Sequence, residues 1–185
     1  HHVRVSVLIK TSKEAASNFQ EQLGYRLRTK DVPYKFIKYP SADQIKSASG
    51  PLWIGPLMDK EIAGRFTEEC AIQTCLPTSD ELEELIAKGL AWSDKDVEYA
   101  TREMIRSVKH ISSAADLLSR QHMLLSLNSM PRLAGTKGAP KMDDVISDLI
   151  ELGYSAARYP DMEPMFVTDA SFDDVISIFR KYHYD

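Results

Sequence analysis

Basic and aromatic residues alternate between residues 25 and 39, and this pattern is the best candidate for chemistry in the chain. Tyr25, Tyr34 and Tyr39 lie among five cations. The cations are Arg26, Arg28, Lys30, Lys35 and Lys38. Lysine and arginine pair with phosphates and aromatic rings stack on bases, so the segment predicts contact with a polyanion. A solvated face of a sheet explains the same residues equally well.

Residue types used in catalysis are dispersed along the sequence. The five histidines are His1, His2, His110, His122 and His183. The sequence contains no G-x-G-x-x-G, G-x-x-x-x-G-K-[ST], H-E-x-x-H or G-x-S-x-G motif. An acidic group over residues 80–84 stands at the start of a predicted helix, where carboxylates interact favourably with the helix dipole. We therefore predict no catalytic residue in this chain.

The two cysteines do not predict a metal site. Cys70 and Cys75 form a C-x4-C pair with no second pair. Such a pair completes neither a tetrahedral zinc site nor a disulfide framework. We predict no metal and two reduced, partly buried cysteines that pack as small hydrophobic residues.

Charge is distributed unevenly along the chain, although the net charge is only −4. Residues 1–50 hold nine Lys/Arg and four Asp/Glu, whereas residues 51–100 hold four and eleven. A polyanion should therefore prefer the N-terminal fifty residues, while the acidic total argues against strong independent binding to nucleic acid.

No hydrophobic segment of the sequence indicates a membrane or a secretory route. No apolar run approaches the ~18 residues that a membrane-spanning helix needs, and the first ten residues lack the apolar region of a signal peptide. We expect a protein of the cytoplasm with no membrane partner.

A small sheet must position the N-terminal cations. Apolar residues alternate with mostly polar ones over residues 3–10, which predicts a strand. A Ser/Thr cap then begins a helix over about residues 13–23. Residues 25–29 and 34–39 are predicted to pair as strands, and residues 52–54 form another short strand.

A Gly/Pro-rich segment follows this sheet. Gly50, Pro51, Trp53, Gly55 and Pro56 bracket a short apolar run. Glycine allows close backbone approach and proline fixes φ, so we expect one rigid shape with Trp53 as its anchor. Taken alone, the run is best interpreted as a buried strand with a turn at each end. Among its neighbours, we expect it to fix how two parts of the protein pack.

Residues 59–128 are predicted to be helical. A helix capped by Asp59 carries apolar residues at steps of four. These residues are Ile62, Phe66 and Cys70. A capping box at residues 78–81 begins a second helix, and a long third helix runs from residue 93 to about residue 119.

The last third of the chain has the spacing of a helix-turn-helix. Short helices over residues 130–134 and 143–152 precede strands over residues 154–159 and 165–168, and an amphipathic helix ends the chain. These elements predict a winged-helix-like unit over residues 129–185.

The predicted fold class is α+β with three regions. A small mixed sheet with helices fills the basic region of residues 1–58, and a helical region spans residues 59–128. The winged-helix-like unit with its C-terminal helix occupies the remaining residues.

Three stretches of the sequence resemble the C-terminal part of the tRNA (guanine-26-N2)-dimethyltransferases. Residues 1–7 resemble the family's His-Tyr-x-Arg-Val strand, and residues 50–57 resemble its Gly-Pro-Leu-Trp-Leu-Gly-Pro segment. Residues 153–171 resemble its Gly-Tyr-x-Ala-Ser-Arg-x-His…Lys-Thr-Asp-Ala-Pro ending. The order of the stretches is also that of the family. The resemblance covers nearly all of this chain but only part of such an enzyme.

The ending matches the family at seven positions and departs from it at others. The matching residues are Gly153, Tyr154, Ala156, Arg158, Thr168, Asp169 and Ala170. Pro160 stands where the family often has His, and Val167 stands where it has Lys; both departures concern polar side chains that could contact RNA. Many members carry two cysteine pairs ahead of the Gly-Pro-Leu-Trp segment, but residues 25–49 contain none, so no zinc is expected.

The resemblance implies transfer of methyl groups from S-adenosylmethionine to the exocyclic N2 of a tRNA guanine. Neither the cofactor loop nor the Asp-Pro-Phe motif of the family's catalytic domain occurs here. We therefore expect a tRNA-binding part that holds no cofactor and works with a preceding methyltransferase domain. Residues 1–58 could be the last part of the sheet of that domain. The expected tRNA contacts are Arg4, Lys10, Arg26, Arg28, Lys30, Lys35, Lys38, Arg132, Lys137, Lys141 and Arg158.

Two other functional classes remain open on the sequence. A winged-helix DNA-binding regulator fits residues 129–170, although its second helix carries Asp143, Asp144 and Asp148, and a recognition helix rarely presents three carboxylates to a groove. A scaffold that binds a partner protein through the acidic residues 59–98 would need no nucleic acid.

Overall fold

The structure is a computed structural model that describes residues 11–29, 34–89, 93–120, 124–159 and 164–182. It divides into two compact units, His1–Gly55 and Pro56–Asp185, which we call the N-terminal and C-terminal units. The strand predicted over residues 3–10 lies outside the described residues, and the division into three regions stays a prediction.

The N-terminal unit contains a three-stranded antiparallel sheet with strand order β2-β1-β3. Its elements are α1 (Lys13–Glu21), β1 (Leu23–Leu27), β2 (Lys35–Ile37), α2 (Ala42–Ile45) and β3 (Ser49–Trp53). The predicted pairing of the first two described strands is confirmed. Helix α1 starts at its Ser12 cap as predicted, but it ends at Glu21 because β1 begins two residues later.

The Gly/Pro-rich segment is an exposed edge strand, so the prediction of a buried strand is wrong. Every residue of β3 is exposed, and Trp53 retains 42% of its accessible surface. The Trp53 ring lies 5.7 Å from the Phe19 ring of α1, measured between centroids. A Cβ added to the buried Gly55 would lie 2.6 Å from the same indole ring. The segment therefore attaches β3 to α1, and the peptide bond from Gly50 to Pro51 is cis.

Replacing Gly50 by Ala is expected to destabilise the N-terminal unit by about 1–3 kcal/mol through overpacking. An added Cβ would lie 2.9 Å from the carbonyl oxygen of Gly24 and 2.7 Å from the Tyr25 ring. Hydrogen exchange of the β1 amides measures the effect. Gly64→Ala is the control, since nothing lies within 4 Å of its added Cβ. Unchanged protection of β1 in the Gly50 variant would contradict the packing.

The C-terminal unit begins with four helices and continues with a second antiparallel sheet, ordered β4-β6-β5. Its elements are α3 (Lys60–Arg65), α4 (Glu68–Cys75), α5 (Ser79–Ala87), α6 (Asp94–Leu118), β4 (Leu124–Ser126), α7 (Met130–Ala134), α8 (Met142–Glu151), β5 (Ala156–Arg158), β6 (Met165–Thr168) and α9 (Phe172–Lys181). The capping box that begins α5 is confirmed, and α6 starts after Ser93 as predicted, where the structure shows a second capping box. Strand β4 was not predicted. None of the described helices is both long enough and apolar enough to cross a membrane.

The helix predicted to follow Asp59 is broken in two. Phe66 leaves helical geometry, and Thr67 caps a new helix by accepting a hydrogen bond from the Cys70 backbone N–H at 3.1 Å. Ala63 of the first helix and Ala71 of the second are buried, whereas the predicted apolar positions at 62, 66 and 70 are exposed. Cys70 is a free, exposed thiol, and its predicted partial burial is wrong.

The second sheet lies within the core of the C-terminal unit. Ala157 and Val167 on one face pack with Ala114, Leu117 and Leu118 of α6. Successive residues of a strand point to opposite faces, so Phe166 points away from α6, and it is fully buried. Helix α8 packs on β5, and α9 packs on α7 and α8. The apolar face predicted for the C-terminal helix is buried as expected.

Candidate nucleic-acid interface

Eight of the eleven cations predicted to contact tRNA lie in the described part of the chain. Arg4, Lys10 and Lys30 lie outside it. The remaining eight fall into two groups, one on the N-terminal sheet and one around α7, α8 and β5. Contact with tRNA stays a prediction for all eleven. For the eight described cations, the structure shows which side chains lie nearby.

The strand register divides the N-terminal group between the two faces of the sheet. Arg26 stands opposite Phe36, and the buried Leu27 stands opposite Lys35. Directly opposed residues of an antiparallel pair share a face, so Arg26 and Lys35 point to opposite faces. Arg28 is exposed just beyond the end of β1.

Two aromatic rings accompany Arg26 on its face. The Arg26 guanidinium carbon lies 5.4 Å from the centroid of the Tyr34 ring, which is within cation–π range. The Tyr34 and Phe36 rings meet nearly edge to face, with centroids 5.2 Å apart and an interplanar angle of 63°. Phe36 retains 41% of its accessible surface. Sequence reasoning missed Phe36, although its two-residue spacing from Tyr34 indicated that the rings share a face.

Lys38 is the weakest candidate of the N-terminal group. Its ammonium nitrogen lies 2.9 Å from a carboxylate oxygen of Glu21, and this hydrogen bond raises the pKa of the lysine. The positive charge is thus neutralised locally. Phosphate contact by Lys38 would compete with this ion pair.

Three cations lie on or between helices α7 and α8 of the C-terminal unit. Arg132 lies on α7, Lys137 lies in the turn, and Lys141 caps α8 without a side-chain hydrogen bond. All three are exposed. Their neighbours on α8 are acidic, because Asp143 and Asp144 occupy its first turn. The electrostatic potential around these three cations therefore has both positive and negative contributions.

Arg158 is engaged within the protein. Its Nη2 and Nε atoms donate to Oδ1 of Asp143 at 2.7 and 3.0 Å. The Arg158 side chain retains 29% of its accessible surface. The pair joins β5 to the start of α8, so contact between this arginine and RNA would require the pair to open.

The matching residues of the family-like ending form a hydrogen-bond network beside α9. Thr168 Oγ1 donates to the Ser155 carbonyl at 2.8 Å, and the Ser155 N–H donates to Asp169 at 2.7 Å. Tyr154 Oη donates to Asp174 at 2.7 Å. These bonds tie the chain before β5 to the last residue of β6, to the residue that follows it and to α9.

Gly153 shapes the chain that enters this network. Its φ of 89° is in the left-handed region that favours glycine. The Gly153 N–H donates to the Ile150 carbonyl, and the Tyr154 N–H donates to the Leu149 carbonyl. These bonds end α8 and direct Tyr154 towards Asp174.

The Asp174 carboxylate is expected to stabilise the C-terminal unit above about pH 4 and to lose this effect in acid. Hydrogen bonds from Ser171 and Tyr154 hold the pKa of Asp174 below its ordinary value. The stabilisation is therefore fully present above the unfolded-state pKa and is lost as the pH falls through the folded-state pKa.

We expect Asp174→Asn to lower the melting temperature at pH 7 and to approach the wild type as the pH falls below about 4. Asp173→Asn is the matched control, because it removes the same charge from the first turn of α9 without removing the Tyr154 hydrogen bond. A deficit that persists unchanged in acid would contradict this role of the carboxylate.

Two kinds of ligand-binding arrangement, a metal-ligand cluster and a glycine-rich nucleotide loop, do not occur among the described residues. No three His, Cys, Asp or Glu side chains among them come together as metal ligands would. Both described sheets are antiparallel, and none of their strands is followed by a loop with two glycines that begins a helix. The described part therefore does not fit the glycine-rich phosphate-binding cradle of dinucleotide folds.

The fold and the surface together define an α+β protein with two small antiparallel sheets and a cationic, aromatic hairpin face. No protein-family model matches the chain. The chain is 26% identical over 182 residues to the tRNA (guanine(26)-N(2))-dimethyltransferase of Thermococcus kodakarensis, a match that covers 97% of this chain and 40% of the relative. The resemblance seen in the motifs is thereby confirmed, and the matching portion is a C-terminal part.

A solved structure has a similar fold. Trm1 from Pyrococcus horikoshii, solved in complex with S-adenosyl-L-methionine, superposes with a TM-score of 0.58 at 20% identity. The match covers 91% of this chain and 38% of that one. The chain thus spans about two fifths of the length of each of these proteins.

Proposed function

We propose that this chain is the tRNA-binding part of a tRNA (guanine-26-N2)-dimethyltransferase. The observation that carries the proposal is the similarity to the Thermococcus kodakarensis enzyme, which extends along 97% of the chain. The alternation of cations and aromatic rings on the β1–β2 hairpin supports contact with RNA. The cytoplasm remains our expected compartment.

In this proposal, methyl transfer takes place in a separate S-adenosylmethionine-binding domain that accompanies this chain. The cofactor would supply the methyl group, and that domain would hold the guanine amine in line with it. The residues of this chain would contribute to binding and orienting the tRNA. We assign no catalytic step to them.

Within the C-terminal unit, we propose that the order α6-β4-α7-α8-β5-β6 forms a winged helix. The sheet order β4-β6-β5 supports this proposal. The same order raises the alternative of a DNA-binding regulator, in which α8 would enter the major groove. Helix α8 carries four carboxylates and no Lys or Arg, so repulsion from phosphates opposes that alternative. The acidic residues 59–98 support a second alternative, a scaffold that binds a partner protein and has no nucleic-acid role.

A comparison of the binding affinities for tRNA and for a DNA duplex distinguishes these three functions. We expect the 185-residue chain to bind tRNA more tightly than a DNA duplex of equal phosphate number at two salt concentrations. Preference for the duplex would favour the regulator, and failure to bind either nucleic acid would favour the scaffold. Either of these results would contradict the proposed function.

A further inference from the structure

We propose that Phe36 is a stacking site for an unpaired RNA base on the face of the N-terminal sheet. This inference rests on the proposed function and deepens it, since it assigns a mode of recognition to one side chain. An aromatic ring that stacks on a base of single-stranded nucleic acid should be exposed, supported by neighbouring side chains and close to phosphate-pairing cations. Phe36 meets each of these conditions.

Exposure of the ring is the first condition. Phe36 retains 41% of its accessible surface although it stands in the middle of β2. The strand lies at an edge of the sheet order β2-β1-β3, so one of its sides carries no neighbouring strand in the described structure. A single strand of RNA can therefore approach the ring along this edge.

Support from neighbouring side chains is the second condition, and Tyr34 provides it. Tyr34 meets Phe36 nearly edge to face at 5.2 Å, and Arg26 lies over the Tyr34 ring at 5.4 Å. The three side chains form a continuous cluster of contacts on one face of the hairpin, since the register places Arg26 opposite Phe36. Tyr34 is thus a positioning residue that orients the Phe36 ring.

Nearby cationic charge is the third condition. Arg26 lies within this cluster, and Arg28 is exposed two residues farther along the chain. A base on Phe36 would bring its own phosphate close to these guanidinium groups, which pair with phosphate oxygens. An ordinary hydrophobic core explains Phe36 less well, because the buried Leu27 points to the opposite face.

The test uses the whole chain and a single-stranded RNA of about ten nucleotides that contains one 2-aminopurine, whose fluorescence is quenched on stacking. We expect Phe36→Leu to weaken binding by about 5- to 150-fold, the usual effect of losing one stacked base, and to abolish the quenching. The slope of log K against log salt should not change, because no cation is removed. Phe36→Tyr should restore both binding and quenching.

Two controls make the outcome specific. Tyr99→Leu removes a ring on α6 that is 59% exposed and belongs to none of the predicted contacts, and it should leave binding unchanged. A fully paired RNA duplex should bind the wild type and the Phe36→Leu variant equally, because its bases cannot reach the ring. The thermal melt and amide exchange of each variant verify that the hairpin remains folded.

Failure of this inference can be distinguished from failure of the proposed function. If the wild type binds tRNA but Phe36→Leu binds the single strand equally well, only the stacking site is wrong. An equal loss of binding to the single strand and the duplex would also overturn it. If the wild type binds no RNA, both the stacking site and the proposed function are wrong.

Discussion

Replacing Arg26, Arg28 and Lys30 together by Ala is expected to weaken tRNA binding by about 100-fold near 0.1 M salt. Each cation that pairs with a phosphate releases counterions, so the slope of log K against log salt should become shallower by about two to three units. A filter-binding titration over a range of salt concentrations measures both quantities.

The control for this variant removes the same charge from elsewhere in the chain. Lys13, Lys46 and Lys88 are exposed and belong to none of the predicted contacts. Their simultaneous replacement by Ala should change the slope by much less than the first triple, because Lys46 and Lys88 already pair with nearby carboxylates. Equal effects of the two triples would indicate a diffuse attraction and would contradict a site on the hairpin.

Replacing Phe166 by Ala is expected to lower the free energy of unfolding of the C-terminal unit by about 3–5 kcal/mol. Phe166 is fully buried on β6, the central strand of its sheet, directly opposite the buried Leu125. Truncation removes apolar surface from the core and leaves a cavity on the face of the sheet that points away from α6. A loss of this size approaches the whole free energy of unfolding of a marginally stable domain, which is about 5 kcal/mol.

Hydrogen exchange of the β6 amides measures this change within the C-terminal unit. Because the chain has two units, a single global unfolding curve need not be two-state. Ile150→Ala on α8 is the control, since Ile150 is 55% exposed and its truncation should change stability by less than about 1 kcal/mol. Equal losses for the two variants would contradict the assigned core.

Local signals predicted most of the helices and the first hairpin. The caps of α1, α5 and α6 lie within a few residues of the bonds they make, so their chemistry is readable from the sequence. The break before α4 was readable as well, because Thr67 precedes two glutamates as an N-cap does. The four-residue spacing of Ile62, Phe66 and Cys70 predicted one continuous helix across Thr67 instead.

Features that depend on distant residues could not be predicted. Strand β4 has only three residues and no alternation, and it is stabilised by pairing with β6 about forty residues later. The ion pair of Arg158 with Asp143 likewise follows from packing. The separation of Arg26 and Lys35 onto opposite faces depends on the hairpin register, which a basic sequence segment does not specify.

The central claim is that this chain contacts tRNA through the hairpin face of its N-terminal unit. The most direct test is a titration of the ¹⁵N-labelled chain with tRNA, in which the backbone amide signal of each residue is monitored. We predict that signals of residues 25–28 and 35–37 change first and most, while those of α8 change little. Changes concentrated on α8, or no change at all at near-millimolar tRNA, would contradict the claim.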